Sequence, residues 1–454
     1  MLTRMRLENF KSWKDTGDIE FKPITGFFGS NSSGKTSLFQ ALLLMKQTVD
    51  SSDQGAVFQF GDGKSLVNLG DFESVIHKHD TEQTLKFSLD WVAKRQFVIP
   101  NAYSGGAVLQ HDNIVFEIET REESIGSGKS LVLEEMAYRI DERRFGMRRV
   151  PDRMTYNLFA QGPDFNISHH TRETNYNLRQ SKFHDFLYWA EEHFDDRNFL
   201  FDLQFGLELF LRDLYYLGPL RTYPNRIYSR SSGQPSDVGQ AGESVVDVIL
   251  SSIEQGQVID WDWDLSDLTL DKYIAGCLKD LGLVHDFRVE ALTEGRRLFQ
   301  VKVRKSPNSA EVLLTDIGLG VSQILPVLVL CFYVPRGSGP TVILEQPDIH
   351  LHPSAQAGLA DVFIDAWEQR NVQILFESHS EHLLLRLQRR IAEGEIKKDD
   401  VGLFFCSTDD NGVSCLSQLE IDESGNISNW PKDFFGDQFG EIAAISEAAL
   451  ERQG

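Results

Sequence analysis

Gly29-Ser30-Asn31-Ser32-Ser33-Gly34-Lys35-Thr36 is the stretch that decides how this chain folds. Two glycines with four residues between them, then Lys and a hydroxyl residue, let the backbone curl so that successive N–H groups and a helix N-terminus face an anion. Lys35 at that spacing reaches the β and γ oxygens of a nucleoside triphosphate, and Thr36 offers its hydroxyl to Mg²⁺. The flanks agree with the loop. Ile24 to Phe28 is a short apolar run with the character of a strand, and Ser37 to Met45 is rich in Leu and Ala, as a buried helix is. Gly29, Ser30, Asn31, Ser32, Ser33, Gly34, Lys35, Thr36 and Ser37 are therefore the candidate cradle for ATP.

A second group of candidates lies far along the chain. The strand-like run Thr341 to Leu344 ends in Glu345-Gln346-Pro347-Asp348. A carboxylate at the C-terminal end of an apolar parallel strand is where a phosphate-loop fold holds a metal or its water shell, which assigns Glu345 to Mg²⁺ beside Thr36. Gln346 follows, where a carboxylate often polarises the attacking water. An amide orients water but does not accept its proton at neutral pH, so hydrolysis should be slow unless a group such as Asp348 contributes. Val372 to Phe376 reads as another strand leading to Glu377-Ser378-His379-Ser380; His379 either senses the terminal phosphate and orients water or serves a helix cap. His350 and His352 are spaced too ordinarily to argue for a metal pair. Thr315 to Gln323 is a Gly/Ser loop before an apolar helix. Its residues Asp316, Gly318, Gly320, Ser322 and Gln323 form either an ordinary cap or a second phosphate-facing loop, which would serve a nucleotide held by another copy.

The 454 residues are enough for a large core, and 41% hydrophobic with 25% charged content describes a folded chain. A net charge of −23 opposes a surface that is basic all round, so contact with DNA would need a local patch or a partner. Arg143-Arg144 with Arg148-Arg149 and Arg153, Arg296-Arg297 with Lys302, Arg304 and Lys305, and Arg386 with Arg389-Arg390 are such patches or ordinary solvated faces. The four cysteines have no metal-binding spacing and read as reduced thiols. The longest apolar stretch, Ile324 to Val334, is too short to cross a bilayer, so no membrane partner and a cytoplasmic location are expected.

Four segments follow. Residues 1–90 read as the N-terminal part of an ATPase head, with short strands around Met5, Leu7, Ile19 and Phe21 forming a mixed, partly antiparallel sheet. Residues 91–214 break the βαβ rhythm and read as a variable, largely helical insertion, on the strength of Phe186, Leu187, Trp189, Ala190, Phe194, Phe205, Leu209 and Leu211. Residues 215–400 return to alternating strands and helices. They include Gly218-Pro219-Leu220-Arg221, an ordered loop near an anion or interface, or else a surface turn. Residues 401–454 form a small C-terminal segment. The expected class is α/β: a phosphate-loop nucleotidase head with a mixed antiparallel β-subdomain and an α-helical insertion.

The chain resembles the ABC-type (RecF/SMC/OLD-like) ATPases of recombination and chromosome maintenance. More closely, it resembles stand-alone bacterial AAA ATPases with a DUF3696 C-terminal domain. Leu7 to Ser12, the glycine loop, Gly218 to Arg221, Gly318 to Gln323, Glu345 to Pro353, Glu377 to Ser380 and the ending Ile427 to Pro431 with Phe434-Phe435 carry the likeness. It implies that Lys35, Glu345, Gln346 and His379 form the catalytic set and that Asp316 to Gln323 is the signature-like loop. It also implies a head-to-tail dimer with ATP sandwiched between heads. Related ATPases in antiphage systems work with nuclease effectors, so a separate effector is the implied partner. Two alternatives stand beside this: a DNA-repair or chromosome-maintenance ATPase acting directly on DNA, and a nucleotide-gated scaffold with negligible hydrolysis. Gln346 replaces the family's usual catalytic glutamate, and the signature segment departs from the transporter form.

Overall fold

The computed structural model describes residues 1–99, 109–125, 128–151, 155–162, 176–177, 182–186, 197–230, 233, 235–256, 268–292, 297–335, 339–431 and 434. Its N-terminal elements are β1 (Leu2–Phe10), β2 (Trp13–Asp15), β3 (Ile19–Glu20), β4 (Ile24–Gly29), α1 (Lys35–Asp50) and the short α2 (Phe72–Val75). Then come β5 (Leu85–Ile99), β6 (Leu109–Ile125), β7 (Gly128–Ile140), β8 (Arg143–Arg149), β9 (Thr155–Gln161), β10 (Tyr176–Asn177) and α3 (Arg197–Arg212). The C-terminal half contains β11 (Leu214–Leu217), β12 (Tyr228–Ser229), α4 (Val245–Glu254), α5 (Leu270–Asp280), β13 (Asp286–Ala291), β14 (Leu298–Arg304), β15 (Glu311–Leu313) and α6 (Leu319–Tyr333). It continues with β16 (Thr341–Glu345), α7 (Pro353–Arg370), β17 (Gln373–Glu377), α8 (Glu381–Glu393), β18 (Val401–Thr408) and β19 (Ser414–Gln418).

The central sheet has the order β11-β16-β17-β4-β18-β19, parallel except for β19 at its edge. Its inner strands are apolar on both faces because both faces are covered. Ile24 and Phe28 pack with Val342, Leu344, Ile374 and Phe376 into a core shared with α4 to α8. Phe27, Ile343 and Leu375 point the other way, into a core built from α1, α3 and the antiparallel sheet. Successive side chains of one strand thus hold two layers together. Phe27 lies edge-on to Phe39 of α1 at 5.6 Å and stacks on Phe404 of β18 at 5.4 Å. Parallel strands place all their C-terminal ends on one side, and there the loop after β4 meets the ends of β16 and β17.

The second sheet is an antiparallel meander, order β10-β9-β8-β7-β6-β5-β1-β2, with β3 also pairing β1. It corrects the expected helical insertion. The described part of 91–161 is mainly strand, and the helical reading holds only in the second half, where α3 carries Phe205, Leu209 and Leu211. Each strand puts its apolar residues, such as Phe116 and Ile118, into the core and its charges outward. On the outer face Arg144 pairs with Glu117 at 2.9 Å, while the buried Arg149 pairs with Glu134 at 3.1 Å. The half-polar alternation resembles loop text when read as composition, although it is the period of a one-sided sheet. Leu187, Trp189, Ala190 and Phe194 lie outside the described residues. The segment boundaries also shift in meaning: β5 runs through the 90/91 division, and β18 of the C-terminal segment pairs directly with β4. A smaller sheet of β12, β13, β14 and β15 stands apart from both.

Candidate active site

The loop from Gly29 to Thr36 has the strained backbone its sequence demands. Gly29 has φ +137°, and a Cβ there would lie 2.0 Å from the Cys406 carbonyl oxygen of β18; Gly34 has φ +96°. Only glycine tolerates these positions without displacing its neighbours. Lys35 begins α1 and is 5% exposed. Its Nζ donates to the carbonyls of Gly29 at 3.0 Å and Ser30 at 2.7 Å, so the ammonium is held inside the curl. Burial pushes its pKa down, with Glu377 opposing that shift. The Ser33 hydroxyl is buried and has no hydrogen-bond partner, as expected of a loop shaped to surround an anion.

Facing the loop are the ends of β16 and β17. Glu345 and Glu377 are the final residues of these strands and sit opposite each other in the parallel register. Both are buried. The Thr36 hydroxyl donates to Glu377 Oε2 at 2.8 Å, and the Tyr216 hydroxyl of β11 donates to Glu345 Oε1 at 2.8 Å. Burial, with Glu377 as a like charge, pushes Glu345 up to about 7; burial also raises Glu377, against the Thr36 hydrogen bond and Lys35. Two carboxylates and a hydroxyl, all hard oxygen donors, with one ammonium beside them, suit a divalent cation such as Mg²⁺. A cation held there would offset the cost of burying these charges, which is the main cause of both raised values, and the weaker like-charge contributions of Glu377 to Glu345 and of Asp348 to Glu377.

Gln346 follows at φ 45°, its N–H bonded to the Glu377 carbonyl at 3.0 Å. Asp348 is buried, with its pKa raised by burial and one carboxylate oxygen without a partner. His379 stands largely exposed just after β17, its pKa lowered by partial desolvation and by Lys35. Its neighbours fix it: Ser378 N–H donates to the Phe27 carbonyl, and Ser380 caps α8. His352 caps α7 through Ser354.

The signature-like residues have other contacts within the chain. Asp316 accepts from Arg226 at 2.6 Å, Gly318 caps α6, and Ser322 Oγ donates to the Leu319 carbonyl at 2.9 Å. A Cβ on Gly320 would meet the His350 carbonyl oxygen at 3.0 Å, so the start of α6 packs closely on the turn after β16. The Gln323 carbonyl accepts from Arg221 at 3.1 Å. Arg221, 7% exposed, also donates to the carbonyls of Glu345 at 3.0 Å and Gln346 at 3.2 Å. The arginine of the Gly218 loop thereby ties the start of α6 to the end of β16, a role its sequence context left open.

Glu377, Tyr216 and Arg221 carry contacts at this edge that the reading of the sequence did not assign. Glu377 was legible by the same argument as Glu345, a carboxylate ending an apolar strand. Tyr216 and Arg221 reach the site only because β11 is laid beside β16.

The parallel sheet, the glycine loop at the end of β4 and the acid-terminated neighbouring strands define a P-loop ATPase head. The chain belongs to the family described as "AAA domain, putative AbiEii toxin, Type IV TA system", whose model matches residues 126–386. An "AAA ATPase domain" model matches residues 1–196, and "Protein of unknown function (DUF3696)" matches residues 396–445. No curated protein matches the chain. Similar solved structures include an Smc head with an extended coiled coil bound to the C-terminal domain of ScpA, derived from Pyrococcus furiosus. It has 10% identity and a TM-score of 0.47, with 99% of each chain covered. Another is the SMC head domain from Thermotoga maritima, at 10% identity and a TM-score of 0.40, covering 92% of this chain and 99% of that one. Among the described residues, no helix is long and apolar enough to cross a membrane.

Proposed function

We propose that this protein binds ATP with Mg²⁺ at the edge formed by β4, β16 and β17 and hydrolyses it slowly. The observation that carries the reading is the meeting of the Gly29–Thr36 curl with buried Glu345 and Glu377 at the ends of adjacent parallel strands. In this reading the loop N–H groups and Lys35 hold the phosphates, exchanging the carbonyls of Gly29 and Ser30 for phosphate oxygens. Thr36 and Glu345 hold the cation, which when bound spreads the charge of the β and γ phosphates. Gln346 orients the attacking water and His379 approaches the terminal phosphate. With an amide at position 346 the water keeps its proton longer, which makes turnover slow and a loaded state long-lived.

Asp316, Gly318, Gly320, Ser322 and Gln323 then serve the nucleotide of a second copy in a head-to-tail dimer. No side chain caps the start of α6, whose first N–H groups lack intrahelical partners by helix geometry, and Leu220, 84% exposed, and Tyr223, 74% exposed, lie on the loop tied to it by Arg221 and Arg226. Dimer closure would signal to a separate effector such as a nuclease, in the cytoplasm and in a defence setting. A DNA-directed role draws less support, because Arg144, Arg148, Arg149, Arg386 and Arg390 are engaged with carboxylates.

Phosphate release and mass measurement with and without ATP test this in wild type, Lys35→Ala and Gln346→Glu. Lys35→Ala should lose nucleotide binding by about a hundredfold or more, as loss of a buried charge-assisted phosphate contact would produce. Gln346→Glu should hydrolyse faster. A slower Gln346→Glu removes the slow-turnover argument, and ATP-dependent dimerisation without phosphate release selects the scaffold alternative.

A further inference from the structure

Glu377 holds the proton of the very hydroxyl that a P-loop offers to a cation. Thr36 Oγ1 has one proton, and it is directed at Glu377 Oε2 at 2.8 Å. With that proton engaged, the oxygen's lone pairs are left for another partner. Glu377 is 2% exposed and faces Glu345 across one rung of the parallel ladder, with Lys35 near enough to influence its ionisation. Glu345, Glu377 and Asp348 outnumber the cations Lys35 and Arg221 there, so the edge carries an excess of acidic groups. A triphosphate arriving without a cation meets that charge in a poorly hydrated place, where repulsion is weakly screened.

We propose that Glu377 is the second carboxylate of the cation site, orienting the Thr36 hydroxyl toward the metal and making nucleotide binding depend on it. This rests on the ATP reading above. Glu345 alone would supply a metal contact; Glu377 adds orientation of Thr36 and a penalty for metal-free nucleotide. It is a positioning residue with respect to Thr36.

The conservative change Glu377→Gln separates these effects. The amide oxygen still accepts from Thr36, while the charge is removed. Full-length wild type, Glu377→Gln, Glu377→Ala and Glu345→Gln would be titrated with a fluorescent ATP analogue, in EDTA and across a Mg²⁺ series. Mn²⁺ bound per nucleotide would be counted by electron paramagnetic resonance. Wild type should bind nucleotide much more tightly with Mg²⁺. In Glu377→Gln, metal-free binding should tighten severalfold and the Mg²⁺-dependent gain should shrink about tenfold, a loss of about 1.4 kcal/mol of coupling. Glu377→Ala, which also frees the Thr36 hydroxyl, should bind Mn²⁺ more weakly still. A Glu377→Gln protein that melts like wild type and keeps its metal-free affinity and Mg²⁺ midpoint within twofold overturns the proposal while the ATP reading stands. A wild-type protein that binds no nucleotide under either condition overturns both.

Discussion

Replacing Arg221 with Met should loosen the link between α6 and β16 and lower stability measurably. The guanidinium makes three hydrogen bonds, to the carbonyls of Gln323, Glu345 and Gln346, at 3.0 to 3.2 Å. Bonds from a charged donor contribute roughly 1.5–3 kcal/mol each. Against them stands the burial of the charge, which pushes the Arg221 pKa down to about 10. That displacement corresponds to about 3 kcal/mol. Met fills most of the volume without the charge, so the expected net loss is about 1.5–6 kcal/mol, a range that brackets the roughly 3–5 kcal/mol typical of breaking one side of a buried polar pair. Urea unfolding of the ligand-free protein measures it. Arg221→Lys, with a single point donor, should fall between wild type and Met. The functional consequence is sharper than the stability one: a nucleotide that still binds, with ATP-dependent dimerisation weakened, because the start of α6 is no longer held to Glu345 and Gln346. If Arg221→Met unfolds within 0.5 kcal/mol of wild type and dimerises normally, the link carries neither stability nor coupling.

Two further outcomes follow from the same geometry. Asp365, on α7 beside a cavity of about 620 Å³, is raised to about 6 by burial and by Asp361, Glu368 and Asp280, with Arg390 opposing. A carboxyl raised in the folded state favours folding at low pH and loses that contribution as pH climbs through 6. Asp365→Asn should therefore be more stable than wild type at pH 8 by about 1 kcal/mol, after allowing for its partial exposure, with the gap shrinking below pH 6, about half left at pH 5 and closing only as pH falls to about 4 and below; a gap independent of pH refutes this. Gly26→Ala on β4 would put a Cβ 2.4 Å from the Phe376 ring of β17. Overpacking of that kind costs about 1–3 kcal/mol, and an unchanged denaturant midpoint would show that the ring yields freely.

The candidate site was legible wherever the chemistry is local. The glycine loop states its own backbone requirement, because Gly29 and Gly34 adopt φ values that other residues rarely take. Glu345 and His379 could be found because apolar runs of strand length end just before them. The meander was not legible, because a sheet with one wet face writes polar and apolar residues alternately and looks like loop when only composition is weighed. Nor was the place of β18. A short strand carries no record of which neighbour it will pair with, and Val401–Thr408 could have closed a separate unit.

What the sequence determined by itself was therefore the phosphate loop, the acids that end the strands and the Gln at position 346, since these depend on residue type and near spacing. Tertiary structure decided which distant groups share the edge. It set Glu377 opposite Glu345, gave Thr36 to Glu377, brought Tyr216 to Glu345 and passed Arg221 between α6 and β16. The physical reason is strand order. Residues hundreds of positions apart become neighbours once parallel pairing aligns the ends of their strands, and that pairing is chosen by the whole buried sheet.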